Sequence, residues 1–128
     1  MDLVYAVMGL ALLELFVFQM FVGRARVKYG IEAPATSGNE MFERYYRVHY
    51  NSIEMLVLFL PSMLLFANFV NTTAAWVLGL VYVVGRLVYF RGYIAEPKKR
   101  APGFGLSFLP VIIMLLGGTG GALFAAFS

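Results

Sequence analysis

The sequence predicts an all-α membrane protein built as a bundle of four transmembrane helices. Of its 128 residues, 61% are apolar and only 13% are charged, so the chain has too little polar surface to cover a soluble core. The charges cluster and leave apolar stretches between them that, as helices, can cross a hydrocarbon core of about 30 Å. This composition excludes a disordered chain, a disulfide-stabilised secreted domain and most soluble enzyme folds.

Four apolar segments form the predicted helices of a single domain, residues 1–128. They cover about residues 3–22, 45–70, 74–94 and 104–127. The first segment has no basic residue before it and no small-residue cleavage site, so it is interpreted as a helix of the mature protein rather than a signal peptide. Residues 71–73 form a minimal turn, whereas the connection over residues 24–42 is long enough to favour a functional loop.

Basic residues predict which side of the bundle faces the cytoplasm. They surround the first and third connections and are absent from the second connection and from both termini; they are Arg24, Arg26, Lys28, Arg44, Arg91, Lys98, Lys99 and Arg100. Because cytoplasmic loops of membrane proteins are enriched in Lys and Arg, both basic connections are predicted to be cytoplasmic. Since these residues flank apolar segments, they indicate membrane topology, and no nucleic-acid partner is expected.

A polar stripe runs along the second predicted helix. Its members are spaced i, i+3, i+7 and i+10, which places them in one narrow arc: Arg44, Arg47, Asn51 and Glu54. Glu54 lies roughly 15 Å along the helix from Arg44. A carboxylate at that depth needs a partner, a water-filled cavity or a proton.

The third predicted helix carries a matching stripe, spaced i, i+4, i+7 and i+11: Tyr82, Arg86, Tyr89 and Tyr93. A buried arginine keeps its proton and therefore needs an anion, and Glu54 is its expected partner within the chain. Arginines outnumber acids around the stripes, so a bound anionic ligand would balance the excess charge. Two alternatives remain: the polar residues only hold the helices together, or arginines such as Arg24 and Arg91 contact lipid phosphates.

The remaining polar residues leave few other chemistries. The chain has no cysteine and one histidine, so neither a protein thiolate nor a metal site is expected. His49 lies off the stripe near the membrane–water interface, and two interpretations stay open: a solvated or hydrogen-bonded histidine, or a catalytic one. Glu14 lies mid-way along the first helix and is either a protonated or hydrogen-bonded carboxyl at a helix interface or a functional carboxylate.

Two long motifs lie on the second and third helices. Residues 42–54 follow the pattern F-E-R-x-x-R-x-x-x-N-x-x-E, and residues 85–93 follow G-R-x-x-Y-F-x-G-Y. Together they resemble the MAPEG family, the membrane-associated proteins in eicosanoid and glutathione metabolism, and nearly the whole chain fits. The pattern is most similar to the branch of microsomal glutathione transferases and cysteinyl-leukotriene synthases.

This resemblance implies a homotrimer that binds glutathione between adjacent subunits near the cytoplasmic side. The matched motifs imply the glutathione-binding positions Arg47, Asn51, Glu54, Arg86, Tyr89 and Tyr93. In the loops, Arg26 is similar to an arginine that holds a carboxylate of the peptide, and Arg100 to the catalytic arginine that stabilises the thiolate. His49 stands where the leukotriene branch has a glutamine and is a weaker binding candidate. Met55 and Val27 also depart from that branch, which argues against leukotriene synthesis rather than against glutathione binding.

The chemistry of glutathione fits these residues. Its two carboxylates and its ammonium group complement several arginines and one glutamate. A cysteine thiol with a pKa near 8.5 is only a few per cent ionised at pH 7, and a guanidinium beside it favours the thiolate; a shift of about two units corresponds to roughly 2.7 kcal/mol. Because the nucleophile is the sulfur of glutathione, the chain needs no cysteine of its own.

The predicted function is therefore a membrane-bound glutathione transferase for lipophilic electrophiles, with glutathione peroxidase activity on lipid hydroperoxides as a second activity. Two alternatives stay open: a non-catalytic lipid-binding scaffold of the same fold, and a small proton-coupled multidrug exporter that uses Glu14. The expected partners are glutathione, a lipid or lipophilic substrate, membrane lipids and two further copies of the chain. A bacterial inner membrane is favoured over the endoplasmic reticulum because the tail is short and carries no retrieval signal.

Overall fold

The fold consists of four long helices, as the hydropathy pattern predicts. A computed structural model describes all 128 residues. Helix α1 spans Asp2–Tyr29, α2 spans Glu40–Phe69, α3 spans Thr72–Ala95 and α4 spans Ala101–Phe127; a 3-10 turn, Pro97–Arg100, joins α3 to α4 and is called the basic turn below. All four helices are long and apolar enough to cross a membrane.

The first connection is shorter than the sequence pattern suggests. Helix α1 continues through Arg24 and Arg26 to Tyr29 and ends at Gly30, whose φ of 68° is left-handed and whose N–H donates to the carbonyl of Arg26. The connection therefore covers residues 30–39, and the expectation of a long loop over residues 24–42 is wrong. Basic side chains end an apolar run but do not end a helix, because Arg and Lys are good helix formers.

Two asparagines fix where the next helices begin. Asn39 Oδ1 accepts a hydrogen bond from the Phe42 N–H at 3.0 Å at the start of α2. Asn71 Oδ1 accepts one from the Ala74 N–H at 2.7 Å at the start of α3. Each side chain satisfies a donor that the first turn of a helix leaves free, so α2 and α3 both begin a few residues before the apolar runs do.

Helix α2 lies at the centre of the bundle and packs against α1, α3 and α4, while α3 also packs against α1 and α4. The core contains the stacked rings of Phe59 and Tyr82, whose centroids are 3.9 Å apart, together with Met63 and Met114. Many large apolar side chains point outward instead, especially on α1 and α4. A soluble monomer rarely exposes so much contiguous apolar surface, and this surface is suited to lipid.

Glycines bring α3 and α4 into backbone contact. A Cβ atom on Gly85 would lie 2.7 Å from the carbonyl carbon of Leu106 and 2.7 Å from the amide nitrogen of Ser107. A Cβ atom on Gly103 would overlap the backbone of Tyr89. Only hydrogen fits at these two positions, so the glycines set how closely the start of α4 approaches the third helix.

Candidate functional site

Two adjoining clefts open where α2 begins and α3 ends. The larger, called the Tyr89 cleft, has a volume of about 560 Å³ and is lined by Asn51, Tyr89, Lys98, Arg100, Ala101 and Phe104. The smaller, called the Arg47 cleft, has a volume of about 280 Å³ and is lined by Glu40, Glu43, Arg44, Arg47, Tyr93 and Pro97. They adjoin because Pro97 and Lys98 are consecutive residues of the basic turn. Five of the predicted site residues therefore line this pair of clefts: Arg47, Asn51, Tyr89, Tyr93 and Arg100.

Three elements build the Tyr89 cleft. Helix α2 supplies Asn51, α3 supplies Tyr89, and the basic turn supplies Lys98 and Arg100. The close approach at Gly103 holds the start of α4 against Tyr89 and so fixes the basic turn over the end of α3. The resulting wall combines aromatic rings with positive charge.

The positive charge of the Tyr89 cleft has no acidic partner. The only salt bridge in the structure joins Arg44 to Glu40. Arg100 donates from Nη1 to the carbonyl of Pro97 at 2.9 Å, within its own turn, and is otherwise exposed. Two cations without counter-ions, in a concave site with hydrogen-bonding groups, can bind an anion.

Arg86 lies beneath the cleft rather than on its surface. Its side chain is fully buried, at 0% exposure. Nη1 donates to Asn51 Oδ1 at 2.7 Å and to Ser52 Oγ at 3.3 Å, and Nε donates to Ser107 Oγ at 3.0 Å. The guanidinium carbon lies 4.3 Å from the centre of the Tyr89 ring. Arg86 therefore supports Asn51 and Tyr89, two residues that line the cleft.

The expected ion pair between Glu54 and Arg86 does not form. Glu54 is exposed and makes no salt bridge, whereas Arg86 is bonded to neutral oxygens. Three residues advance a helix by about 300°, so Glu54 lies about 60° around α2 from Asn51, on the outward side. Because Asn51 lines the Tyr89 cleft, Glu54 lies about one helical turn along α2 from that cleft.

Arg44 has a structural function that the stripe pattern does not indicate. Its Nη1 donates to the carbonyls of Ile94 at 2.9 Å and Ala95 at 3.1 Å, and its Nη2 pairs with Glu40 Oε1 at 2.8 Å. These carbonyls belong to the last turn of α3, where cations and donors are favourable. Arg44 thus joins the start of α2 to the end of α3 and holds the two walls of the Arg47 cleft together.

Besides Glu54 and Arg86, two further predicted site residues line neither cleft. Arg26 donates from Nη1 to the carbonyl of Ala35 at 2.7 Å and lies 4.9 Å from the centre of the Phe42 ring, so it fastens the first connection to α2. His49 is half-buried in α2, and its side chain makes no hydrogen bond. The fold of the single chain does not bring these two side chains to the residues that line the clefts.

Sequence reasoning missed the residues that hold Arg86 from α2 and α4. Ser52 and Ser107 accept its hydrogen bonds, and Ser107 in turn donates to the carbonyl of Gly103 at 2.6 Å. The available signal was a serine four residues after a glycine in an otherwise apolar helix. That spacing does not reveal which helix the serine faces, so only the packed bundle assigns it to Arg86.

The comparisons with known proteins agree with this architecture. The MAPEG family model matches residues 4–119. The chain belongs to the MAPEG family. The resemblance noted from the two motifs is therefore confirmed, and family membership together with four apolar helices supports an integral membrane protein.

Individual MAPEG relatives include both characterised and uncharacterised proteins. The chain is 46% identical over 109 residues to an uncharacterized protein of Synechocystis sp., an alignment that covers 85% of this chain and 80% of that protein. It is 39% identical over 104 residues to human microsomal glutathione S-transferase 2, covering 80% of this chain and 71% of the human protein. It is 37% identical over 83 residues to bovine leukotriene C4 synthase, covering 65% of this chain and 55% of the bovine protein.

Proposed function

We propose that this protein is a membrane-bound glutathione transferase that conjugates glutathione to lipophilic electrophiles. The observation that carries the proposal is the Tyr89 cleft, in which Lys98 and Arg100 lie without acidic partners beside Asn51 and Tyr89. The human relative named a glutathione S-transferase and the bovine relative named a leukotriene C4 synthase support the same type of activity. Glutathione acts here as a co-substrate.

The two clefts suit the functional groups of glutathione. Arg47 and Tyr93 in the smaller cleft would bind a carboxylate, and Glu54, exposed on α2 about one turn from Asn51, would bind the ammonium group. Because Asn51 Oδ1 accepts from Arg86, its amide nitrogen remains free to donate to the peptide. Arg86 itself acts from below, by orienting Asn51 and Tyr89.

Arg100 would generate the nucleophile by charge alone. It lines the Tyr89 cleft, and a guanidinium beside the thiol lowers the thiol pKa without accepting a proton. The proton leaves to water, the thiolate attacks the electrophilic carbon, and a thioether forms as the leaving group departs with the bonding electrons. The same thiolate would reduce a lipid hydroperoxide to an alcohol; the sulfenic acid formed on glutathione then condenses with a second glutathione to give a disulfide and water.

We further propose a homotrimer in which a neighbouring subunit completes the site. Arg26 and His49 lie in neither cleft of their own subunit. On α2, the polar residues Arg47 and Glu54 are exposed next to the exposed apolar residues Ile53 and Val57, a combination that a protein neighbour satisfies better than lipid does. The bacterial inner membrane, with the clefts on the cytoplasmic side, is the proposed location. Native mass spectrometry of the detergent-solubilised protein should give three chains, and a monomer would contradict the assembly.

The thiolate assignment has a direct test. In Arg100→Ala, glutathione binding measured by isothermal titration should stay within a few-fold of wild type, while the ultraviolet absorbance of the bound thiolate should mostly disappear. Lys99→Ala is the matched control, because Lys99 is exposed in the same turn and lines neither cleft. An unchanged thiolate absorbance in Arg100→Ala would reject this function for the arginine.

The binding assignment is tested separately. Arg47→Ala and Glu54→Gln should each weaken the binding of glutathione by about tenfold or more, since a hydrogen bond to a charged group contributes about 1.5–3 kcal/mol. Arg91→Ala is the control for loss of an exposed arginine that lines neither cleft. Wild-type affinity in both variants would count against the site. If the protein binds a lipid but does not conjugate glutathione to chlorodinitrobenzene, that result would instead support a non-catalytic lipid-binding scaffold of the same fold.

A further inference from the structure

A groove along α1 shares no lining residue with either cleft. Its basic part, with a volume of about 100 Å³, is lined by Phe21, Arg24, Ala25, Lys28, Tyr29 and Tyr45. Its apolar part, with a volume of about 400 Å³, is lined by Val17, Met20, Phe21 and Arg24. Because Phe21 and Arg24 line both parts, the two parts form one continuous groove, called the Arg24 groove below.

The basic part of the groove holds two cations without a counter-ion. Arg24 and Lys28 are four residues apart, so they are neighbours on one face of α1, and both are exposed. Neither forms a salt bridge, and no acidic residue lines the groove. The dipole of α1 favours Lys28, which lies in the last turn, but its effect does not extend to Arg24, which precedes that turn. An external anion would satisfy both cations.

Aromatic packing shapes the wall that the two parts share. The Phe21 ring stacks on the Tyr45 ring of α2, with 5.9 Å between the ring centres, and lies 5.3 Å from the Phe90 ring of α3. Three helices therefore hold Phe21 in place. Beyond it, Val17 and Met20 are exposed, and Val17 lies roughly 10 Å along the helix from Arg24. The groove thus passes from two cations to an apolar surface over the length of two helical turns.

The depth of the groove matches the boundary between lipid headgroups and acyl chains. The apolar run of α1 over residues 3–22 is about 30 Å long as a helix, which is the thickness of the hydrocarbon core. Arg24 and Lys28 follow that run directly, so they lie at the level of the headgroups. Val17 and Met20 lie within the run, at the level of the acyl chains.

We propose that the Arg24 groove binds one anionic phospholipid, with its phosphate between Arg24 and Lys28 and one acyl chain along Val17, Met20 and Phe21. A guanidinium and an ammonium group are the usual protein partners of a phosphate. A free phosphate would leave the larger, apolar part of the groove unfilled. A zwitterionic lipid would bring its own cation to a site that already has two and no acid. An anionic phospholipid therefore fits best.

Native mass spectrometry of the protein in a neutral detergent tests the site. Dioleoyl-phosphatidylglycerol and dioleoyl-phosphatidylcholine carry the same acyl chains and differ in headgroup charge. The wild-type protein should retain one phosphatidylglycerol per chain and should bind phosphatidylcholine more weakly. The double variant Arg24→Ala with Lys28→Ala should bind phosphatidylglycerol about tenfold or more weakly, since it loses two charged hydrogen-bond donors.

The matched control is Arg91→Ala with Lys99→Ala. It also removes one exposed arginine and one exposed lysine, neither of which lines this groove or the two clefts. Its affinity for phosphatidylglycerol should stay close to that of wild type. If Arg24→Ala with Lys28→Ala does not fold, Arg24→Gln with Lys28→Gln replaces it, because glutamine removes the charge and keeps a polar side chain.

Several outcomes would overturn the proposal. Equal binding of the two lipids would show that headgroup charge is not recognised, and equal losses in the two double variants would show that the cations act only through net charge. Release of the bound lipid by an excess of inorganic phosphate would identify a site for a free anion. An assembled protein that binds no phosphatidylglycerol would indicate that a second copy of the chain covers the groove.

This inference does not depend on the proposed transferase activity. Glutathione affinity of Arg24→Ala with Lys28→Ala should equal that of wild type, because the groove and the clefts have no lining residue in common. If the wild-type protein does not bind glutathione, the number of phosphatidylglycerol molecules bound per chain still decides whether the lipid site exists.

Discussion

Replacing Gly103 by alanine should separate α3 from α4 at the floor of the Tyr89 cleft. The added Cβ atom would overlap the backbone nitrogen and Cα of Tyr89 and would lie 2.7 Å from the carbonyl carbon of Val88. All three atoms are backbone, so no side chain can rotate away to make room. The start of α4 must therefore move outward and carry the basic turn with it.

The expected loss follows from two opposing effects. Alanine in a helix gains about 1 kcal/mol over glycine, whereas forcing an extra carbon into a packed contact costs about 1–3 kcal/mol. Because the obstructing atoms are backbone, the cost should exceed that range slightly, and the net loss should be about 2 kcal/mol. For a chain of this size, that loss corresponds to a fall in apparent Tm of about 8 °C.

Gly105→Ala provides the matched comparison on the same helix. A Cβ atom on Gly105 meets no other atom within 4 Å, so the change should be neutral or stabilising by up to about 1 kcal/mol. Thermal unfolding of both variants in the same detergent measures the difference. The ultraviolet thiolate signal should also fall in Gly103→Ala, since Arg100 moves, and should persist in Gly105→Ala. Equal melting temperatures and equal thiolate signals in the two variants would refute the close-contact argument.

Two further substitutions test contacts that support the site. Ser107→Ala removes the acceptor of Arg86 Nε and should destabilise the protein by about 1–3 kcal/mol, because a buried charged donor loses its partner. The loss is measured as a lower apparent Tm. A Tm equal to that of Ser37→Ala, a control in an exposed loop, would contradict this expectation. Asn39→Ala removes the oxygen that caps the Phe42 N–H and should cost about 1 kcal/mol. Hydrogen exchange should quicken in the first turn of α2 alone, and unaltered exchange there would disprove the cap.

The stripe pattern placed polar residues on the right helices but not always in the right contacts. Spacing correctly put Arg47 and Asn51 near one another on α2, and both line the adjoining clefts. It also suggested Glu54 as the partner of Arg86, which is wrong, because a pattern along one helix does not fix how that helix is rotated against its neighbour. A rotation of about 60°, less than one residue step, is enough to exchange an inward for an outward position.

By itself, the sequence determined the number of helices and the residue types at the site. Apolar runs of this length have few options in lipid other than a helix, since every backbone N–H and C=O must find a partner within its own segment. Only the tertiary structure decided which charges meet. Arg86 is hydrogen-bonded to Asn51, Ser52 and Ser107 from two other helices. Those contacts depend on how closely α3 and α4 approach each other. Gly85 and Gly103 set that distance because each carries only a hydrogen atom as its side chain.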